Sequence, residues 1–204
     1  MRINHILIDL ENVQPASLTG LNADFFRVTV FVGANQTKIP FDLVTAIQHL
    51  GERANYIKIS GNGSNALDFH IAYYIGKLVN EDPTAYFHII SKDTGFDPLI
   101  QHLKTQKIGI TRSKDVCDIP LLKAANSKTL QEKAAVVISN LYQRGASKPR
   151  TVKTLSSTIL SLFQKQLPGE ALTMLLAELQ SMGAISILEN KVTYALPEVA
   201  VATA

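Results

Sequence analysis

Apolar residues follow two different spacings in the first 115 residues of the chain. Short continuous runs of apolar and β-branched residues predict buried strands, and apolar residues three or four positions apart predict helices. The predicted strands are residues 3–8, 28–32, 55–59, 85–90 and 108–111, and the predicted helices between them are residues 40–50, 66–79 and 96–105. Strands that alternate with helices predict an α/β fold with a parallel sheet and helices on both of its faces.

A different pattern begins near residues 124–128. Helical spacing predicts three helices, and two alternating segments separated by a two-residue turn predict a β-hairpin. The helices are residues 129–143, 151–164 and 169–182, and the hairpin strands are residues 184–188 and 191–196. Three helices followed by a hairpin are the order of elements in a winged helix-turn-helix. We therefore expect a first domain over residues 1–124, a small α+β domain over residues 128–197, and a frayed tail at 197–204.

Two of the predicted strands lead into an aspartate. Asp9 follows the strand at residues 3–8, and Asp93 follows the strand at residues 85–90 within the next turn. In open α/β sheets ligands bind at the carboxyl ends of the strands, and these two strands are neighbours in a sheet of the order 3-2-1-4-5. Clustered carboxylates hold Mg²⁺ or Mn²⁺, which activate water and neutralise charge on a phosphate. The two aspartates therefore predict a metal site suited to phosphodiester hydrolysis.

Four more residues are candidates for the same site. Asp68 lies in the first turn of the helix that leads into the fourth strand, and Asp97 lies at the start of the helix that follows it. Glu11 and Asn12 lie in the loop after the first strand. We expect the carboxylates to ligate the metal, and Asn12 to orient the neighbouring aspartate or a water. A simple Asx-turn is the alternative for Asn12.

Two of these aspartates also have a purely structural interpretation. Asp68 stands three residues after Asn65, and Asp97 stands three residues after Thr94, which is the spacing of a capping box. Acidic residues are favoured in any first helical turn, because they interact with the helix dipole. The sequence favours a functional role for Asp68, since a glycine-rich turn precedes it, and leaves both roles open for Asp97.

The composition is that of a globular protein, with 46% hydrophobic and 18% charged residues. Cys117 is the only cysteine, which excludes an internal disulfide framework and suits a reducing compartment. Asp9 and Glu11 interrupt the first apolar run, unlike the residues of a signal peptide, and no apolar stretch approaches the ~18 residues of a membrane span. We expect a cytoplasmic protein without a membrane partner. We also expect a buried side chain for Cys117, and packing rather than base stacking for Tyr73 and Tyr74.

The net charge of +3 is carried by the last part of the chain. Residues 1–126 contain 12 basic and 12 acidic residues, and residues 127–204 contain 8 and 5. Basic residues gather in and after the turn RGASKPR and are candidates for contact with nucleic acid: Arg144, Lys148, Arg150 and Lys153. The helix at 169–182 contains no lysine or arginine, which argues against sequence-specific reading of a duplex. We expect non-specific RNA contact through this turn, or contact with a protein partner or a second copy of the chain; an ordinary solvated loop is the alternative.

Four segments together resemble a known family. They are LIDLENVQP (7–15), FVGANQTKIP (31–40), KISGNGSNALDFHIAYYIGKL (58–78) and IISKDTGFDPLI (89–100), and in this order they resemble the motifs of bacterial PIN-like domains related to the NYN nucleases. The resemblance implies a Rossmann-like sheet of the order 3-2-1-4-5 and Mg²⁺- or Mn²⁺-dependent cleavage of RNA, less often DNA. The family's acidic positions map onto Asp9, Asp68 and Asp93, with Asn12 beside the first. The last part of the chain is similar to the small winged-helix domains found in such nucleases, which would present the substrate.

One of the four segments departs from the family's motif. NYN relatives commonly carry S-G-D-x-D-F where this chain has S-K-D-T-G-F, so Gly95 replaces the second acid and Lys92 replaces a glycine. Asp97 is a candidate substitute for the missing acid, and Lys92 can either neutralise a phosphate or lower the occupancy of the metal. The departure leaves a second interpretation open, a degenerate PIN-like module that binds RNA or assembles with proteins without cleaving.

A third interpretation is a phosphatase with an aspartate nucleophile. The acid-x-acid sequence of Asp9 and Glu11 follows the first strand, and Ser91 ends a strand as the second motif of such enzymes would. The paired later acids and the lysine that complete this kind of site have no counterpart at suitable positions, so the sequence favours a nuclease.

Overall fold

The computed structural model describes residues 2–15, 17–165 and 167–196. The chain divides between Ile119 and Pro120 into two compact units. Across the described residues, no helix is both long enough and apolar enough to cross a membrane. The expected frayed tail, residues 197–204, lies outside the described residues.

The first unit contains five strands, and helices join β2 to β3, β3 to β4 and β4 to β5. The elements are β1 (Asn4–Asp9), β2 (Phe26–Val32), α1 (Phe41–Leu50), β3 (Ala54–Lys58), α2 (Ala66–Glu81), β4 (Tyr86–Ile90), α3 (Phe96–Thr105) and β5 (Gly109–Ser113). The sheet has the order β3-β2-β1-β4-β5, and every neighbouring pair is parallel. The expected Rossmann-like α/β fold and its strand order are confirmed.

Strand β1 lies at the centre of this sheet, between β2 and β4. Successive side chains of a strand point to opposite faces, so Leu7 and Asp9 point to the same side. Leu7 packs in a core with Phe31 of β2, Ile71 of α2 and Ile100 of α3. The side chain of Asp9 therefore leaves the carboxyl end of the sheet on the side that α2 and α3 cover.

Helix α2 buries one stripe of residues and exposes the opposite side. Leu67, Ile71 and Ile75 are buried, as their spacing predicts. Tyr73 packs against Tyr74, but it lies two positions from Ile71, about 200° around the helix, and most of its ring is exposed. Cys117 is also exposed rather than buried; it lies in a short 3-10 turn after β5.

The second unit contains four helices and a hairpin. Its elements are α4 (Pro120–Asn126), α5 (Leu130–Gln143), α6 (Val152–Leu162), α7 (Gly169–Ser181), β6 (Ile185–Leu188) and β7 (Lys191–Tyr194), with β6 and β7 antiparallel. The last three helices and the hairpin follow the predicted order. Helix α4 was not predicted, because seven residues make only about two turns and show too little periodicity.

The hairpin of the second unit pairs with the segment before α6. Thr151 forms an antiparallel bridge with Lys191, and the N–H of Val192 donates to the carbonyl of Arg150 at 3.0 Å. Thr151 also accepts a hydrogen bond from the backbone N–H of Thr154 and so caps α6. The basic turn is therefore held at its end by the hairpin as well as by the helix.

Candidate metal site at the strand ends

Asp9 is completely buried at the end of β1 and is held by three hydrogen bonds. The backbone N–H of Asn12 donates to Oδ1 at 3.2 Å, and the Asn12 side chain donates to Oδ2 at 2.7 Å. The Ser91 hydroxyl donates to Oδ2 at 2.7 Å. All three donors are neutral, so they fix the orientation of the carboxylate without supplying a positive charge.

Ser91 joins the ends of β1 and β4. Its hydroxyl donates to Asp9 and accepts the backbone N–H of Asp93 at 3.0 Å. Its own N–H donates to the carbonyl of Ser113, which extends the pairing of β4 with β5 by one residue. Sequence reasoning considered Ser91 only for a phosphatase and missed its role as a bridge. The available signal was its position one residue past β4, opposite Asp9 in the parallel register.

Asp93 lies in the turn between β4 and α3 and is partly exposed. Its Oδ1 accepts the backbone N–H of Gly95 at 2.7 Å, which turns the carboxylate back over its own loop. A Cβ atom added at Gly95 would stand 3.1 Å from the same Oδ1 atom. The residue that replaces the second acid of the motif therefore both positions Asp93 and leaves little room beside it.

Asp68 lies in the first turn of α2, and its pKa is affected by the other acids of the site. Burial, followed by the negative charges of Asp9, Asp93 and Glu11 in that order, raises the pKa of its carboxyl to about 6. Four carboxylates from three separate loops and helices therefore share one region at the carboxyl end of the sheet. Such a cluster is unfavourable unless a cation joins it.

Glu11 reaches this region across the end of β2. A Cβ atom added at Gly33 would lie 1.6 Å from the Glu11 Oε1 atom, so the carboxylate of Glu11 lies directly against Gly33. Gly33 follows β2 immediately and is the residue that makes room for this side chain. Sequence reasoning missed Gly33, although its place at a strand end was a signal for a close approach.

Asp97 forms an ion pair with Arg112 instead of joining the other acids. Arg112 on β5 donates to it through Nε at 2.8 Å and Nη2 at 3.1 Å, which is a bidentate ion pair. Arg112 also donates to the carbonyl of Ser91 at 3.2 Å. Asp97 is not among the acids whose charge raises the pKa of Asp68. The structure thus brings together four of the five predicted carboxylates and pairs the fifth with an arginine.

The capping interpretation is wrong for both aspartates. Asn65 has a left-handed backbone, with φ of 62°, and its side chain makes no capping hydrogen bond to α2. Helix α3 begins after Gly95, again without a side-chain cap. The first turn of α2 therefore supplies no structural reason for an acid at Asp68 beyond the general preference for negative charge at a helix start.

The four gathered carboxylates suit a divalent cation by their chemistry. Mg²⁺ and Mn²⁺ prefer hard oxygen ligands that carry negative charge. Within the part of the chain that the structure describes, no lysine or arginine forms an ion pair with any of the four. Among the same residues, no group of three or more His, Cys, Asp or Glu side chains is already arranged to hold an ion.

The predicted nucleic-acid contacts lie in both units. Lys92 is exposed and adjoins Asp93. In the second unit Arg144, Arg150 and Lys153 are exposed, and Lys148 donates to the carbonyl of Gly145 at 2.6 Å. The bridge to Thr151 also brings Lys191 beside this turn, which the sequence analysis missed because the two residues are far apart in the chain.

Comparison with known proteins identifies the first unit. Searches of curated proteins and of solved structures gave no match. The family profile of the PIN domain matches residues 3–113, which is more than half of the chain and spans the whole sheet from β1 to β5. The same range contains the four gathered carboxylates. The chain therefore belongs to the PIN domain family.

Proposed function

We propose that this protein is a divalent-metal-dependent ribonuclease of the NYN-related PIN type. PIN domains are typically metal-dependent nucleases. The observation that carries the proposal is the hydrogen-bonded junction of β1 and β4, where the Ser91 hydroxyl donates to the buried Asp9 and accepts the backbone N–H of Asp93. The pKa of Asp68, which is raised by burial and by the charges of Asp9, Asp93 and Glu11, supports a shared acidic region. A group of like charges that includes the buried Asp9 and has no arginine or lysine partner among the described residues is the electrostatic setting of a metal site.

The chain's own residues prepare the site for Mg²⁺ or Mn²⁺. Asp9, Asp68, Asp93 and Glu11 would hold the ion, which supplies an activated water and neutralises charge on the phosphate. Asn12 and Ser91 keep both oxygens of Asp9 oriented before the ion arrives, and the N–H of Gly95 does the same for Asp93. Fixed ligands of this kind lower the cost of assembling the site.

Two basic regions support RNA as the substrate. Lys92 stands exposed next to Asp93 and can bind a phosphate of the strand. The second unit is proposed to be a winged-helix domain that presents RNA through its basic turn, on the residues Arg144, Lys148, Arg150 and Lys153. Helix α7 has no lysine or arginine, and its acids Glu170 and Glu178 would repel phosphates, which supports backbone contact through the basic turn over sequence reading by this helix. A protein partner or a second copy at this turn is the alternative for the second unit.

The test is RNA cleavage by the purified full chain with Mg²⁺ or Mn²⁺ and with EDTA. We expect Asp9→Asn and Asp93→Asn each to remove metal-dependent cleavage in a folded protein. The unfolding transition should stay close to that of the wild type for Asp93→Asn and fall for Asp9→Asn, because an amide keeps only one of the two acceptor oxygens that Asn12 and Ser91 bind. Asp42→Asn is the matched control, because Asp42 is an exposed acid in the first turn of α1. Full activity of the Asp9→Asn/Asp93→Asn double variant would refute the proposal.

A degenerate PIN module that binds RNA without cleaving is the second candidate. Gly95 in place of an acid favours it, as does the lack of a preformed ligand group in the described residues. Calorimetry with Mn²⁺ separates the two, since the nuclease must bind the ion and the degenerate module need not. RNA binding without Mn²⁺-dependent cleavage would favour this candidate. The PIN family match leaves no support for the phosphatase interpretation.

A further inference from the structure

Two exposed aromatic side chains follow Asp68 along α2, on the outer side of the helix. Phe69 follows Asp68 in the chain and is 70% exposed, and Tyr73 is 66% exposed. Residues four positions apart lie on one face of a helix, so the two rings are neighbours about 6 Å apart along the axis. Large apolar side chains on a surface mark interaction sites when they adjoin one another.

The outer ring is held in place by a chain of aromatic contacts. Tyr73 packs edge-on against Tyr74, with ring centroids 5.3 Å apart and an interplanar angle of 86°. Tyr74 packs edge-on against Phe31 at 5.5 Å, and Phe31 is completely buried in the core. Tyr73 is thus fixed in orientation while its surface remains accessible. A ring that is already ordered loses less entropy when a ligand stacks on it.

The neighbouring positions of α2 suit a polyanion. Between Asp68 and Glu81 the helix contains no acid, and Lys77 is exposed one turn after Tyr73. Gly76, three positions after Tyr73, is also exposed, and a Cβ atom added there would meet nothing within 4 Å. Glycine weakens a helix, and packing does not require it here. Gly76 therefore adds no side chain to this exposed side of α2.

The size of the aromatic patch argues against a second protein. Two aromatic side chains exposed to this extent offer roughly 300 Å², whereas a stable interface buries about 800 Å² on each partner. The other exposed positions on this face, Gly76, Lys77 and Asn80, add no large apolar side chain. The patch is large enough for two nucleobases and too small for a dimer.

We propose that Phe69 and Tyr73 stack on unpaired bases of a single-stranded RNA that reaches the acidic site. This inference rests on the proposed function and assigns two residues that hold the RNA substrate. Before a metal binds, the carboxylates repel phosphates. Stacking on an aromatic face does not depend on charge and can hold the strand beside them. Lys77 lies where it can contact the strand's backbone.

The experiment measures binding in EDTA, so that its result is independent of cleavage. The full chain is titrated into a fluorescein-labelled short oligoadenylate, and anisotropy is followed. Phe69→Ala and Tyr73→Ala are each expected to weaken binding by about 5-fold to about 150-fold, the effect of removing a stacking aromatic residue. The matched control is Phe41→Ala, because Phe41 is 81% exposed at the start of α1 and off the α2 face. It is expected to bind as the wild type does.

Two further comparisons test the mode of contact. Phe69→Leu and Tyr73→Leu keep an apolar side chain but lose the ring, so they are expected to bind as weakly as the alanine variants. An RNA duplex is expected to bind without sensitivity to either substitution, because its bases are already stacked. Gel filtration of the wild type and Tyr73→Ala is expected to give the same oligomeric state.

Three outcomes would overturn the inference. They are unchanged affinity in both alanine variants, full retention of affinity in the leucine variants, and loss of an oligomer in Tyr73→Ala. Failure of the proposed function would appear differently. In that case RNA binding in EDTA would still depend on both rings, while no metal-dependent cleavage would be found.

Discussion

Asp68→Asn is expected to stabilise the protein when no metal is present. The substitution removes a charge that burial and three neighbouring carboxylates disfavour, and it keeps the size of the side chain. The same change removes a proposed metal ligand. Asp68→Asn should therefore raise stability in EDTA and reduce the further stabilisation that Mn²⁺ gives to the wild type.

The magnitude follows from the pKa of Asp68. It rises from 3.8 to about 6 in the folded protein, and such a shift corresponds to at most about 3 kcal/mol. Asp68 is partly exposed, and screening by water reduces this to about 1 kcal/mol. Because the folded-state pKa is raised, the charged form costs stability fully above about pH 6. The cost disappears as the pH falls toward 3.8 and the folded state takes up a proton.

The assay is urea unfolding in EDTA at about pH 8 and about pH 4.5, with the first unit's transition followed. We expect Asp68→Asn to be more stable than the wild type by about 1 kcal/mol at the higher pH and by clearly less at the lower pH. Asp42→Asn, which removes an exposed acid from the first turn of α1, should be neutral or slightly destabilising. A destabilised Asp68→Asn variant at the higher pH would refute the reasoning, because it would mean that the carboxylate makes favourable contacts.

Three more substitutions test neighbouring contacts. Gly33→Ala places a Cβ atom 1.6 Å from the Glu11 Oε1 atom, so the flexible Glu11 side chain must move. Calorimetry should show that the folded variant binds Mn²⁺ more weakly than the wild type. Unchanged affinity would mean that Glu11 is not a ligand of the ion. Asp97→Asn breaks the ion pair with Arg112 and should cost up to about 1 kcal/mol in urea unfolding, while a tenfold loss of Mn²⁺ affinity would instead make Asp97 a ligand. Burial lowers the pKa of His88 to about 3, so wild-type stability should fall as the pH drops from about 6.5 toward 3. His88→Gln should flatten that dependence in unfolding measured across this range, and an unchanged slope would contradict the assignment.

The sequence predicted the sheet because each strand is recognisable from its own run of apolar residues. Runs such as residues 28–32 and 86–90 are continuous and apolar, as strands buried on both faces must be. The strand order came from the family resemblance, and the structure confirms it. Helix α4 was missed because a short helix has too few turns to show a period. The exposure of Tyr73 was not foreseen, although the spacing of Leu67, Ile71 and Ile75 already put it on the outer side of α2.

Only the features of the site that single residues indicate could be predicted from the sequence. Aspartates at strand ends are visible in a sequence, and Asp9 and Asp93 were found in this way. Asp68 was found as an acid at the start of a helix that follows a glycine-rich turn. The contacts that orient them are not visible, because they depend on the register between distant strands. Ser91 meets Asp9 across 82 positions of the chain. The pairing of Asp97 with Arg112 likewise requires α3 and β5 to be in place.

The pairing of Thr151 with Lys191 has a consequence for how the second unit folds. The bridge joins residues roughly 40 positions apart, so a long loop must close before it forms. The hairpin can dock only after α6 and α7 have come together, and such non-local pairing slows folding relative to a simple helical bundle. Deletion of the hairpin would also release the backbone of Arg150, since Val192 binds its carbonyl. A shortened chain that lacks the hairpin would therefore lose the ordered basic turn along with it.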